Sequence, residues 1–195
     1  MSNTDRPNGF RPVEHLNGNP WNGKYRVYYL AVTEGTATFI GDPVEFAGSA
    51  DSTGIYQTVN QAAAAETILG VVVGFGNTPH ITVDTSNLAR AYRPASTAMY
   101  VAVMDDPDVI CEIQEDSDGE NIEADDVGST LDIAVGSGNT TTGAAGVELD
   151  SSTGGQTDDQ CRLLGLVPRE DNEIGTNAKW RVLIVKSEMR STTGV

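Results

Sequence analysis

The chain has 195 residues, enough for one domain that buries roughly 70% of its unfolded surface, and its 21 Gly and 8 Pro favour many turns over long helices. It carries 28 acidic and 12 basic residues, and 16 of the acids but none of the bases lie between Asp105 and Gln160, so the net charge of −16 belongs to one central block. A field of that sign argues against nucleic acid as a partner, and no run reaches the ~18 apolar residues of a membrane span.

The opening MSNTDRPNGF lacks the basic and apolar regions of a secretory signal, so the expectation is a protein not exported by the ordinary route. Residues 1–22 are rich in Pro and Asn and show a hydrophobic period of neither 2 nor 3.6, which predicts an extended N-terminal arm. Phe10, Val13, Leu16 and Trp21 are the apolar anchors by which such an arm would lie on a surface, its own or a neighbour's.

From Lys24 onward short β-rich runs alternate with turn chemistry. Strands are predicted near 24–31 (KYRVYYLA), 37–40 (ATFI), 43–47 (PVEFA), 68–75 (ILGVVVGF) and 80–84 (HITVD). Five more follow near 98–104 (AMYVAVM), 108–115 (DVICEIQE), 131–135 (LDIAV), 161–168 (CRLLGLVP) and 179–187 (KWRVLIVKS). About ten short strands predict an all-β domain over 23–190, a small β-sandwich or barrel, jelly-roll or tulip-like, with an acidic and Gly/Thr-rich insertion at about 115–160. ILGVVVGF is apolar throughout and suits a strand covered on both faces, whereas KWRVLIVKS puts Trp180, Val182 and Ile184 on one face. The helix candidates, 60–67 (NQAAAAET) and 120–127 (ENIEADDV), are short enough to be loops. Val147 and Leu149 form an apolar island expected to pin an exposed excursion as a short edge strand.

Catalytic chemistry is sparse. Cys111 and Cys161 sit in apolar runs and fit reduced core thiols. The two histidines, His15 and His80, fit surface or capping roles, and no nucleophile elbow, phosphate loop or zinc-protease pattern is present. Asp116, Asp118 and Glu120 place oxygen ligands at calcium-loop spacing, but the glycine at position six and the bidentate Glu at twelve are missing. The expectation is no metal and no cofactor, with those three acids as the place to look. Paired carboxylates of a glycosidase would need a rim of aromatics, and the aromatics lie elsewhere, in Trp21, Tyr25, Tyr28, Tyr29 and in Tyr92, Tyr100. They suit sheet packing or an interface, with a carbohydrate platform as the alternative.

The ordered series RPVEHLNGNPWNGKYRVYYL, GDPVEFAGSAD, ILGVVVGF, YRPASTAMYVAVMDDPDVICEIQED and LGLVPREDNEIGTNAKWRVLI resembles the cement, or decoration, proteins of tailed double-stranded DNA bacteriophages, over residues 11–186. The resemblance implies a non-enzymatic virion protein, made in the bacterial host cytoplasm, that sits on the outer surface of the expanded capsid and locks neighbouring capsomers. It implies the phage major capsid protein as partner and self-association, as a trimer or a dimer, with the trimer favoured. The capsid or subunit contact is expected at the arm and the strand after it, in Phe10, Arg11, Val13, Leu16, Trp21, Lys24, Tyr25 and Arg26. The competing expectation is a carbohydrate- or receptor-binding module on the phage head or tail.

Overall fold

The computed structural model describes residues 3–81, 91–155 and 159–191. Fourteen strands run through the described residues. The first seven are β1 (Arg11–His15), β2 (Arg26–Leu30), β3 (Thr38–Phe39), β4 (Pro43–Ala50), β5 (Gln57–Gln61), β6 (Gly70–Gly76) and β7 (Tyr92–Arg93). The rest are β8 (Met99–Met104), β9 (Val109–Gln114), β10 (Thr130–Leu131), β11 (Ile133–Gly136), β12 (Gly146–Leu149), β13 (Cys161–Leu166) and β14 (Lys179–Ile184). The protein is all-β, and the expected choice between barrel and sheet layers resolves into both.

Five strands close a barrel in the order β2-β5-β4-β6-β8, antiparallel except where β2 meets β5 at the single pair Tyr29 and Thr58. Because strand side chains alternate, Tyr28, Leu30, Val44, Val59, Val72, Val101 and Val103 fill the lumen, with Leu69 from just before β6. A second sheet, β1-β9-β14-β13-β10, is antiparallel throughout. Its inner face carries Cys111, Ile113, Cys161, Leu163, Trp180, Val182 and Ile184, which share one large core with Val71 and Met104 from the barrel, with Ile68 from before β6, and with Ile133, Val147 and Leu149 of the β11-β12 hairpin. β6 therefore has apolar residues on both faces because both are covered, Val72 inside the barrel and Val71 against the sheet core.

The N-terminal segment is extended, and it is built into the domain. β1 pairs antiparallel with β9, Phe10 is 1% exposed, and Phe10 N donates to Gly41 O at 2.9 Å. The approach requires two glycines: a Cβ on Gly9 would lie 2.4 Å from Gly41 O, and one on Gly41 2.4 Å from Asn8 O, and both have positive φ.

Several expectations are corrected. No helix forms at 60–67, since β5 continues through Gln61 and the chain then turns at Ala65, which has φ 62°. At 120–127 the acids support only a single 3-10 turn, Ala124–Asp126, closed by a reciprocal capping box between Glu123 and Asp126. The Val147 and Leu149 island is not an exposed excursion: both residues are fully buried, because β12 pairs with β11 over the large core. His80 and Ile81 are not in a strand, and the remainder of the expected 80–84 strand lies outside the described residues.

Candidate interaction surfaces

The residues expected to make contact from the N-terminal segment divide by burial. Phe10 is spent on the chain's own core, and Trp21 and Val13 are half-buried, Trp21 against that core and Val13 within β1. Arg11, Lys24 and Arg26 are exposed, as are Leu16 at 50% and Tyr25 at 40%. Tyr25 is tethered by its hydroxyl, which donates to Ile81 O at 2.7 Å. Arg26 ion-pairs with Asp105 at 3.1 Å, and Asp105 also accepts the Tyr28 hydroxyl at 2.7 Å, so this cation belongs to the barrel's polar lid.

A surface the sequence reading did not assemble lies on the barrel's outer wall. Tyr29 of β2 and Tyr100 of β8 are register partners and both point outward, because Tyr28 and Val101 beside them point in. Their ring centroids are 5.3 Å apart, and Tyr56 stands edge-on to Tyr100 at 5.2 Å. Tyr56 arrives on a tight turn organised by Asp51, whose carboxylate accepts from Thr53 Oγ1 at 2.8 Å, Ile55 N at 3.2 Å, Tyr56 N at 3.3 Å and Tyr100 OH at 3.4 Å. Desolvation works against the charged form of Asp51, but the hydrogen bonds of Thr53, Tyr56 and Ile55 outweigh it and hold the carboxyl below the usual range. The tip of this braced turn is Ile55, 71% exposed, a stiffly presented apolar residue beside three packed tyrosines. Alternation in KYRVYYLA and AMYVAVM would have sent Tyr29 and Tyr100 outward together; the Asp51 turn carried no such periodic signal.

Of the three acids singled out for a metal, Asp116 and Asp118 come together and Glu120 does not join them; the third member is Asp150, and carboxylate oxygens of the three lie within 4.8 Å of one another. These three could hold a cation. Protein donors already serve them, since Ser151 gives Asp116 Oδ1 its backbone N–H at 3.1 Å, and the Ser151 hydroxyl lies 3.0 Å from the same oxygen and 3.1 Å from Glu120 O.

The interior offers little reactivity. Burial pushes both free thiols, Cys111 and Cys161, far up, so neither is a thiolate at neutral pH. His15 Nδ1 lies 3.3 Å from Asp106 Oδ2, but among the described residues neither imidazole holds a hydroxyl or thiol that a base could activate. Set beside known protein families, characterised proteins and solved structures, the chain matches none.

Proposed function

We propose that this chain is a structural virion protein that binds the outside of an expanded tailed-phage capsid and cements neighbouring capsomers. The observation that carries the reading is a preformed contact surface on a scaffold with an inert interior: Ile55, held out by the Asp51 turn, beside Tyr29, Tyr56 and Tyr100. Tyrosine and exposed aliphatic anchors on a rigid support are what a binding hot spot requires, because little side-chain or loop entropy remains to be lost on docking. The ordered sequence series that resembles cement proteins is what points to the major capsid protein as the partner.

The mechanism is linkage. A protein that binds only the expanded lattice adds its binding free energy to that lattice and none to the immature shell. At a Kd of about 1 μM each site contributes ~8 kcal/mol at the standard state, and self-association into a trimer multiplies the effect through avidity.

The test is sedimentation of purified protein with expanded, undecorated capsids and with unexpanded ones, and light scattering for the oligomer. Binding to expanded shells alone supports the reading; a folded protein that ignores both ends it. A second reading, a carbohydrate-binding module, draws on the same tyrosines, since sugars stack on aromatic faces. Glycan-array binding without capsid binding would favour it.

A further inference from the structure

In a chain of net charge −16, the basic residues left without partners are informative. Arg26, Arg169, Arg181 and Arg190 are ion-paired, to Asp105, Glu112, Glu14 and Asp108. Arg93 is fully buried and donates to the carbonyls of Ala31, Thr36 and Thr97, while Arg162 and Lys186 donate to Gly128 O and Ala65 O. Among the described residues this leaves Arg6, Arg11, Lys24 and Lys179 with side chains that meet no acceptor. Three of those four line one feature.

That feature is a pair of adjoining clefts between the N-terminal segment and the loop that leads into β14, sharing Arg169 and Lys179. Arg6 lines the larger, of about 150 Å³, and Arg11 the smaller. Their walls are closed by their own hydrogen bonds. Asn3 Nδ2 donates to Glu173 O at 2.8 Å and to Thr176 O at 3.0 Å, and Asn3 Oδ1 accepts Glu173 N at 3.0 Å. Asn172 Nδ2 donates to Val167 O and to Lys179 O, both at 2.9 Å, and its Oδ1 accepts Lys179 N at 2.8 Å. Arg6 N is held by Gln114 Oε1 at 3.0 Å.

The backbone of the site is thus fixed and its amides are used, and what remains unsatisfied is positive charge. Of the two acids in the lining, Glu112 is already bound by Arg169, leaving Asp171 at the rim of the larger cleft. Gathering free cations costs Coulomb energy that an oxyanion would recover, and charge-assisted hydrogen bonds are the strong ones. Two more acids lie close by, Asp5 and Glu148, and each accepts a hydrogen bond from Gln114 Nε2, at 3.0 and 2.9 Å; acids farther off than about 8 Å are largely screened at physiological salt. The larger cleft, of about 150 Å³, has room for a carboxylate side chain, since ~10–15 Å³ already holds a water, whereas the smaller, of about 10 Å³, holds no more than one.

We propose that the larger cleft is a receptor for a carboxylate of an acidic segment on a partner protein, read by Arg6 and Lys179, with Arg11 at the adjoining smaller cleft adding to the positive field. The assignment goes beyond the capsid reading and does not rest on it; if that partner is the shell, the clefts mark where an acidic stretch of the shell docks.

The experiment uses the full chain and a fluorescein-labelled hexaglutamate peptide, followed by anisotropy at physiological salt, with inorganic phosphate as a second probe. Saturable peptide binding is expected. Arg6→Gln and Lys179→Gln should each weaken it about tenfold, the loss of roughly one charge-assisted hydrogen bond, whereas Lys24→Gln, which removes the same charge outside the clefts, should change it less than about twofold. Arg6 is exposed, and the hydrogen bonds of Lys179 to Asn172 are made by its backbone, so unchanged melting curves should accompany both substitutions. Absence of saturable peptide binding, equal losses in all three variants, or binding of phosphate in place of hexaglutamate would each overturn the assignment. Because no capsid enters the assay, its failure is distinct from failure of the cement reading.

Discussion

The two hydrophobic cores of this protein solve different problems. The barrel lumen is filled almost wholly by aliphatic side chains and is closed by one polar lid, Tyr28 to Asp105 to Arg26. The core between barrel and sheet is larger and is threaded with buried polar groups, each tying down a non-strand segment. Glu115, fully buried, accepts Trp180 Nε1 at 3.1 Å and Ile122 N at 3.1 Å; Gln160 donates to Ala63 O at 2.9 Å and Glu66 O at 2.8 Å and accepts Ile133 N at 3.2 Å. Closure by strand pairing lets the barrel manage with an apolar lumen and that polar lid, whereas the second core must order long loops whose backbone groups need partners.

The largest expected effect tests that dependence. Trp180→Ala removes the largest fully buried side chain of the second core and strips Glu115 of a donor, so about 3–5 kcal/mol of stability should be lost by chemical denaturation, with more from the orphaned acid. Trp180→Phe, which keeps most of the volume and loses the donor, separates the two contributions. If Leu30→Ala in the lumen destabilises as much as Trp180→Ala, the polar threading contributes nothing extra.

Next in size is a pH effect at Asp42, 1% exposed, whose Oδ2 accepts Phe39 N at 2.7 Å. Burial raises its carboxyl to about 7, against hydrogen bonds from Phe39 and the Gln61 side chain that favour the charged form. The folded state then binds a proton that the unfolded state has released, so stability should fall as pH rises from about 4 to about 7 and level off above. The loss is at most about 4 kcal/mol, at 1.36 kcal/mol per unit. Asp42→Asn should flatten that limb of the stability curve measured by denaturant melts between acid and neutral pH; an unchanged slope would show that Asp42 stays ionised. Tyr28→Phe, at the barrel lid, should cost less, about 1–2 kcal/mol, by removing one charge-assisted bond to Asp105 while Arg26 still serves it.

How much was legible follows the same division. Period-2 alternation is a local property, so KYRVYYLA, ILGVVVGF, AMYVAVM and KWRVLIVKS gave their strands and, in ILGVVVGF, even the two-sided cover. β1 and β5 escaped because RPVEH and QTVNQ have too few apolar residues to alternate; they are held by pairing with β9 and β4. The helical propensity of Ala62 to Ala65 lost to tertiary context, as a two-turn segment does when its flanks are fixed. The surfaces were the least legible. Asp51 and Tyr56 meet Tyr100 only after the barrel closes, and the partner of Asp116 and Asp118 proved to be Asp150 rather than Glu120.

The smallest expected change in stability is at Ile55, and it separates scaffold from contact. A side chain 71% exposed has little burial to lose, so Ile55→Asp should shift stability by less than about 0.5 kcal/mol. The turn beneath it is organised by Asp51 and the Ile55 backbone N–H, neither of which the substitution removes. On a docked surface the same change puts a charge where an apolar anchor was desolvated, costing about 2–5 kcal/mol of binding. Sedimentation with expanded capsids should therefore fall by at least tenfold in affinity, about 1.4 kcal/mol, while the melting curve stays put. Equal binding by wild type and Ile55→Asp would move the contact off the tyrosine face and back toward Leu16 and Tyr25, the anchors of the N-terminal segment that remain exposed.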